Sequence, residues 1–222
     1  MIRGFLRTCA AGFAALVSPP FCAECASFLP ENTILCDRCR EKIIPLVSTY
    51  VDVNDTYTMP VYAFAPYDGI VRSLIIAKHY QQRVASRQLG RLVALSGVCP
   101  WHRYDVLVPV PLHWTRGLTR GFNQALVMAH ELHDTHAHLQ VAPVISRARR
   151  TKLQATLSGK DREKNVARAF VARAHARQTL EGKHVLIVDD LMTTGSTLRS
   201  IARVILTCKP ASVAVVVAAR VL

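Results

Sequence analysis

Two apolar runs, HVLIV at 184–188 and VAVVVAA at 213–219, constrain this chain most. Neither alternates with polar residues. An alternating strand can leave one face in water, whereas a continuous run rich in β-branched residues fits a strand covered on both faces. Helical spacing at 196–207 links the two runs. Upstream, strands read at 61–65, 105–110, 140–145 and 170–172. Helices read at 68–79, 82–97 and 121–133, and 43–60 reads as a linker with weak strand character. Strands alternating with helices predict an α/β fold, a parallel sheet flanked by helices. With 222 residues, the chain has room for one such domain and a small module at ~100–200 residues per domain. Half the residues are hydrophobic, which excludes intrinsic disorder. No apolar run approaches the ~18–20 residues of a membrane-spanning helix, so no stable membrane insertion is expected.

The opening segment repeats Ile2, Phe5, Leu6, Cys9, Phe13, Leu16 and Val17 at helical spacing. An amphipathic helix over 1–20, ended by Ser18-Pro19-Pro20, explains this better than an export signal. Arg7 interrupts the apolar stretch, and no A-x-A cleavage site precedes Cys22. A second module is expected over 21–45. Cys22-x-x-Cys25 and Cys36-x-x-Cys39 can gather four thiolates around a structural Zn²⁺. Two disulfides are an alternative, but they require an oxidising compartment and leave Cys9, Cys99 and Cys208 over. An iron–sulfur cluster is a third reading.

The main domain is expected over 60–222, and its sharpest feature follows the first apolar run. Asp189 and Asp190 come directly after Val188, then Thr193-Thr194-Gly195-Ser196-Thr197, then a helix. Open α/β sheets bind ligands at the carboxyl ends of their strands. Successive amides in a Gly-containing turn, with a helix N-terminus behind them, suit a phosphate monoester. The acid pair would repel that phosphate and suits hydroxyls or Mg²⁺ beside it. A ribose 5-phosphate meets both demands. The bland alternative is an Asp-rich turn capping a helix through Ser196 or Thr194.

The net charge is +13, and residues 141–180 alone contribute +8. Their cations are Arg147, Arg149, Arg150, Lys152, Lys160, Arg162, Lys164, Arg168, Arg173 and Arg177. Such a block serves as a solvated face, or binds pyrophosphate or the phosphates of single-stranded DNA. Within it, 147–165 is long, polar and without period, as lids are. His130, His133, His136 and His138 read as helix-end surface residues rather than a metal site.

The motif VLIVDDLMTTGSTL resembles the phosphoribosyl-pyrophosphate (PRPP) binding motif of type I phosphoribosyltransferases. Together with the four-Cys module, the chain resembles the ComF family, associated with competence and DNA utilisation in bacteria. YDGIVRSLIIAKHY, VPVPLHWTRGLTRGFNQA and RTKLQATLSGKDREKNVARAF carry the same likeness. The resemblance implies a type I phosphoribosyltransferase-like sheet plus an amino-terminal zinc ribbon, in a cytoplasmic protein. It implies that Asp189 and Asp190 hold ribose hydroxyls and that Thr193, Thr194, Gly195, Ser196 and Thr197 hold the 5-phosphate. Val110, Pro111, Leu112 and His113 would form the pyrophosphate loop, beside Arg116 and Arg120. Residues 147–165 would close over PRPP, with Lys152 and Arg162 neutralising pyrophosphate. Mg²⁺ would accompany PRPP, and a nitrogen acceptor would receive the phosphoribosyl group. A second expectation is a non-catalytic factor that binds single-stranded DNA through Arg149, Arg150 and Lys152, with the DNA-uptake machinery as partner.

Overall fold

The computed structural model describes residues 21–22, 24–29, 35–43, 46, 48–76, 80–112, 122–147 and 169–222. The helix expected over 1–20 lies outside them, as do His113, Arg116, Arg120 and most of the lid. The chain divides into two compact units, Met1–Ile44 and Pro45–Leu222.

In the first unit, Phe21 and Phe28 pair as an antiparallel bridge. The turn between them runs through Ala26 at φ +55°. One short helix, α1 (Asp37–Arg40), follows Cys36. Cys22, Leu29, Leu35 and Cys39 are its buried hydrophobic residues among those described.

The second unit is built on a six-stranded sheet. Its strands are β1 (Thr49–Asn54), β2 (Tyr57–Pro66), β3 (Val106–Pro109), β4 (Gln140–Val141), β7 (His184–Met192) and β8 (Ser212–Arg220), in spatial order β1-β2-β8-β7-β3-β4. Only β1 against β2 is antiparallel; every other pairing is parallel. A separate antiparallel pair joins β5 (Ile145–Arg147) to β6 (Phe170–Ala172). The helices are α2 (Gly69–Ile76), α3 (Tyr80–Leu95), α4 (Gln124–Thr135), α5 (Ala176–Leu180) and α6 (Ser196–Leu206).

The continuous apolar runs are central strands, as their composition requires. Val185 and Ile187 of β7 share a core with Val213, Val215 and Val217 of β8 and with Leu198, Ile201 and Ile205 of α6. Leu186, Val188, Ala214 and Val216 are equally buried. By strand alternation they line the opposite face, where α2 and α3 touch β8 and α4 touches β7 and β3. Burying both faces of two nine-residue strands is the main hydrophobic contribution to this unit.

Four readings change. Residues 49–60, expected as a linker with weak strand character, form β1 and the first part of β2, whose remainder is the strand expected at 61–65; Val51 and Val53 face inward while Asp52 and Asn54 stay outside. The single strand expected at 140–145 is two strands in two sheets, separated by a stretch containing Pro143, which has no N–H for a ladder. The strand expected to end at Val188 continues to Met192, with Asp189 opposite Val217 and Met192 opposite Arg220. Helix α4 starts at Gln124, after Asn123, rather than at 121. Among the described residues no helix is long and apolar enough to cross a membrane.

Candidate functional site

The carboxyl end of β7 positions the acid pair. Because the strand runs on, Asp189 and Asp190 lie within it, not after it. Both are half-buried, and alternation turns successive side chains to opposite sides. Asp189 also folds back locally: its Oδ1 accepts from the Asp190 amide at 3.0 Å.

The turn after β7 is held by glycine. Gly195 has φ +72° and ψ 4° and occupies the N-cap position of α6. A Cβ there would lie 3.2 Å from Met192 Cε and 3.4 Å from Val51 Cγ2. Backbone angle and space thus both disfavour a side chain. This replaces the alternative in which Ser196 or Thr194 caps the helix, since the N-cap residue has no side chain. Thr194 Oγ1 instead donates to Ser196 Oγ at 3.3 Å, and Thr193 and Thr194 are exposed. The first amides of a helix have no intrahelical partner. Helix α6 is anchored from behind. Arg199 Nε donates to Asp52 O and Arg203 Nε to Val53 O, each at 2.8 Å, so two guanidinium groups cover carbonyls of edge strand β1.

Next to β7, β3 leads into the turn Val110-Pro111-Leu112. Val110 N donates to Val188 O at 2.9 Å, which sets this turn beside the acid pair. Asn123 belongs to the Arg120-Gly121-Phe122-Asn123-Gln124 run that the family resemblance sets close to this turn, and it touches the turn directly. Its Nδ2 donates to Val110 O at 3.0 Å while its Oδ1 accepts from Leu126 N at 3.4 Å. An Asn immediately before a helical run is an N-cap signal, so this residue was findable. His113, Arg116, Arg120, Arg149, Arg150, Lys152 and Arg162 lie outside the described residues. Within the basic block, Arg147 is half-buried with its Cζ 5.2 Å from the Phe170 ring centroid, and Arg177 pairs with Glu181 at 3.1 Å. His133, His136 and His138 each hydrogen-bond a main-chain carbonyl, of Leu139, Ala94 and Trp101.

In the first unit the four cysteines converge. All four Sγ atoms lie within 4.8 Å of one another, and Cys25 Sγ is 3.7 Å from Cys36 Sγ. A tetrahedron with ~2.3 Å Zn–S bonds has edges of ~3.8 Å, so the donor set fits such an ion. The first C-x-x-C sits on the Phe21–Phe28 turn; the second opens α1. The Cys36 amide donates to Cys22 Sγ at 3.5 Å. Hydrogen bonds from Ser27 hold the Cys25 thiol down at about 6, while burial pushes Cys39 up to about 12. Four thiols in contact cannot all ionise together without a cation among them.

A mostly parallel sheet, an acid pair on a central strand and a hydroxyl-Gly turn opening a helix define a phosphoribosyltransferase-like α/β domain. Residues 118–221 match the family model described as phosphoribosyl transferase domain. The chain is 30% identical over 203 residues to DNA utilization protein YhgH of Salmonella typhimurium, covering 91% of this chain and 84% of that one. Competence protein F of Haemophilus influenzae is 26% identical over 197 residues, 84% of this chain and 78% of that one. The chain belongs to the ComF family, which these two relatives represent. Among solved structures, glutamine PRPP amidotransferase from B. subtilis is similar at TM-score 0.46 and 19% identity, over 74% of this chain and 34% of that larger one.

Proposed function

We propose that the β7–α6 turn binds the ribose 5-phosphate part of PRPP, and that the domain transfers phosphoribosyl to a nitrogen acceptor. The observation that carries this reading is Gly195. It is held in a left-handed conformation between Met192 and Val51, at the start of α6 and in a run with the hydroxyls of Thr193, Thr194, Ser196 and Thr197. The phosphate would sit there, and Asp189 and Asp190 would take the ribose hydroxyls. Val110, Pro111, Leu112 and His113, with Arg116 and Arg120, would hold pyrophosphate, and Lys152 and Arg162 would arrive with the lid. Mg²⁺ would enter with the ligand, held by pyrophosphate oxygens and water, and would offset the leaving group's charge. The chain's own part is positioning, charge neutralisation and exclusion of water around an oxocarbenium-like centre.

The four cysteines would hold one structural Zn²⁺, with no role at the ribose. The names of the relatives add a setting: a role in DNA utilisation. Single-stranded DNA is a second candidate ligand, through Arg149, Arg150 and Lys152. Binding that falls steeply with salt and is lost in the triple neutral variant would support it; binding unchanged in that variant would oppose it. The test of the main reading is thermal unfolding with PRPP–Mg²⁺. A ligand that binds only the folded state must raise the transition temperature, so no shift at millimolar PRPP removes the proposal. Pyrophosphate release across a panel of nitrogen nucleophiles then separates transfer from binding alone.

A further inference from the structure

Val110 is the first residue beyond β3, and both of its main-chain polar groups are pinned. Its N–H donates to Val188 O at 2.9 Å, and its C=O accepts from Asn123 Nδ2 at 3.0 Å. Val188 immediately precedes the acid pair. Pro109 and Pro111 flank Val110, so neither neighbour offers an N–H that could tie the turn down in its place. Fixing the Val110 oxygen fixes the plane of the Val110–Pro111 peptide, and with it the direction in which the chain leaves toward Leu112. Asn123 is itself fixed, because its Oδ1 caps α4 through Leu126 N at 3.4 Å. The neutral carboxamide supplies an acceptor for the helix from one atom and a donor for the carbonyl from the other. Its orientation is set by the two contacts together.

We infer that Asn123 is a positioning residue for the pyrophosphate end of the ligand. It sets the turn after β3 against β7, acting through the Val110 carbonyl without touching ligand. The inference rests on the PRPP reading above and deepens it by dividing the site into two ends with separate supports. Gly195 fixes the ribose-phosphate end, and Asn123 fixes the pyrophosphate end.

Asn123→Asp separates the two jobs of this side chain. It keeps the helix-capping acceptor but cannot donate to Val110. Asn123→Ala removes both contacts and adds no charge. Affinities for inorganic pyrophosphate and for ribose 5-phosphate, each with Mg²⁺, are measured by titration calorimetry on the full chain. The expected result is a pyrophosphate affinity about tenfold weaker in both variants, in line with one lost part-buried hydrogen bond. Ribose 5-phosphate affinity stays within about twofold, and the Asp variant, which keeps the helix cap, melts above the Ala variant. Unchanged pyrophosphate binding overturns the inference. So does an equal loss for both ligands, which is general damage, or a loss confined to Asn123→Asp that disappears at high salt, which is charge repulsion. If the native chain binds neither ligand, the PRPP reading itself falls first. If it binds both and the variants match it, only the role of Asn123 falls.

Discussion

The cysteine unit and the α/β unit bury very different things. Among the described residues, the first hides Cys22, Leu29, Leu35 and Cys39, and two of these are candidate metal ligands. In the second, β7 and β8 alone bury Val185, Leu186, Ile187, Val188 and the whole of Val213–Ala219. With two thiols in that described buried set, an ion that ties the sulfurs together contributes directly to the order of these residues. The α/β unit is held by its apolar strands, which leaves its exposed turns free to carry polar groups that contribute nothing to the core. The difference teaches where each unit is fragile: one at its sulfurs, the other at its backbone turns.

The largest expected effect breaks this comparison at the metal. Chelation, or Cys36→Ser with Cys39→Ser, removes ~10–16 kcal/mol of apparent zinc-binding free energy, which is also folding free energy for such a module. Amide-exchange protection over 21–43 is expected to vanish while protection over 184–219 is retained. Elemental analysis is expected to give about one zinc per native chain. Iron in its place, or protection that survives chelation, contradicts the account of the first unit.

The next effect falls on the turn of the second unit. Gly195→Ala forces a Cβ into a left-handed backbone, at a cost of roughly 1–2 kcal/mol, and into 3.2 and 3.4 Å contacts with Met192 and Val51. A modest fall in unfolding temperature is expected, with a much larger loss of PRPP affinity. Native affinity in this variant would show that the turn is not the phosphate site.

The smallest effect tests the α3–α4 interface. Burial, then the nearby Asp134, raises the Glu131 carboxyl above its ordinary value, against Arg87 at 3.7 Å. An acid raised in the folded state costs stability above its folded value. That stability returns as pH falls toward the unfolded value of ~4.3. Glu131→Gln is therefore expected to melt slightly higher than the native chain at pH 8, with the difference closing toward pH 4. A variant less stable at pH 8 would mean that the Arg87 ion pair outweighs burial.

Much of this was legible from residues that do one job. HVLIV and VAVVVAA announce central strands because nothing polar interrupts them, and two C-x-x-C pairs announce a cluster because sulfur spacing is nearly all that such a module needs. Elements whose residues do two jobs were hidden. Asp52 and Asn54 made β1 look like a linker, although their neighbours Val51 and Val53 are core. Asp189 and Asp190 made β7 look finished, although their backbone still pairs with β8. Asn123 caps a helix and holds a distant carbonyl; spacing reports the first role, and only the assembled sheet edge reports the second.

The most direct measurement is titration calorimetry of PRPP–Mg²⁺ into the native chain and into Asp189→Asn/Asp190→Asn. The account predicts saturable binding at one ligand per native chain. It predicts none in the double variant, whose unfolding temperature without ligand stays native because both carboxylates lie at the strand end, outside the apolar core. No saturable binding by the native chain, or equal binding by the two, would contradict it.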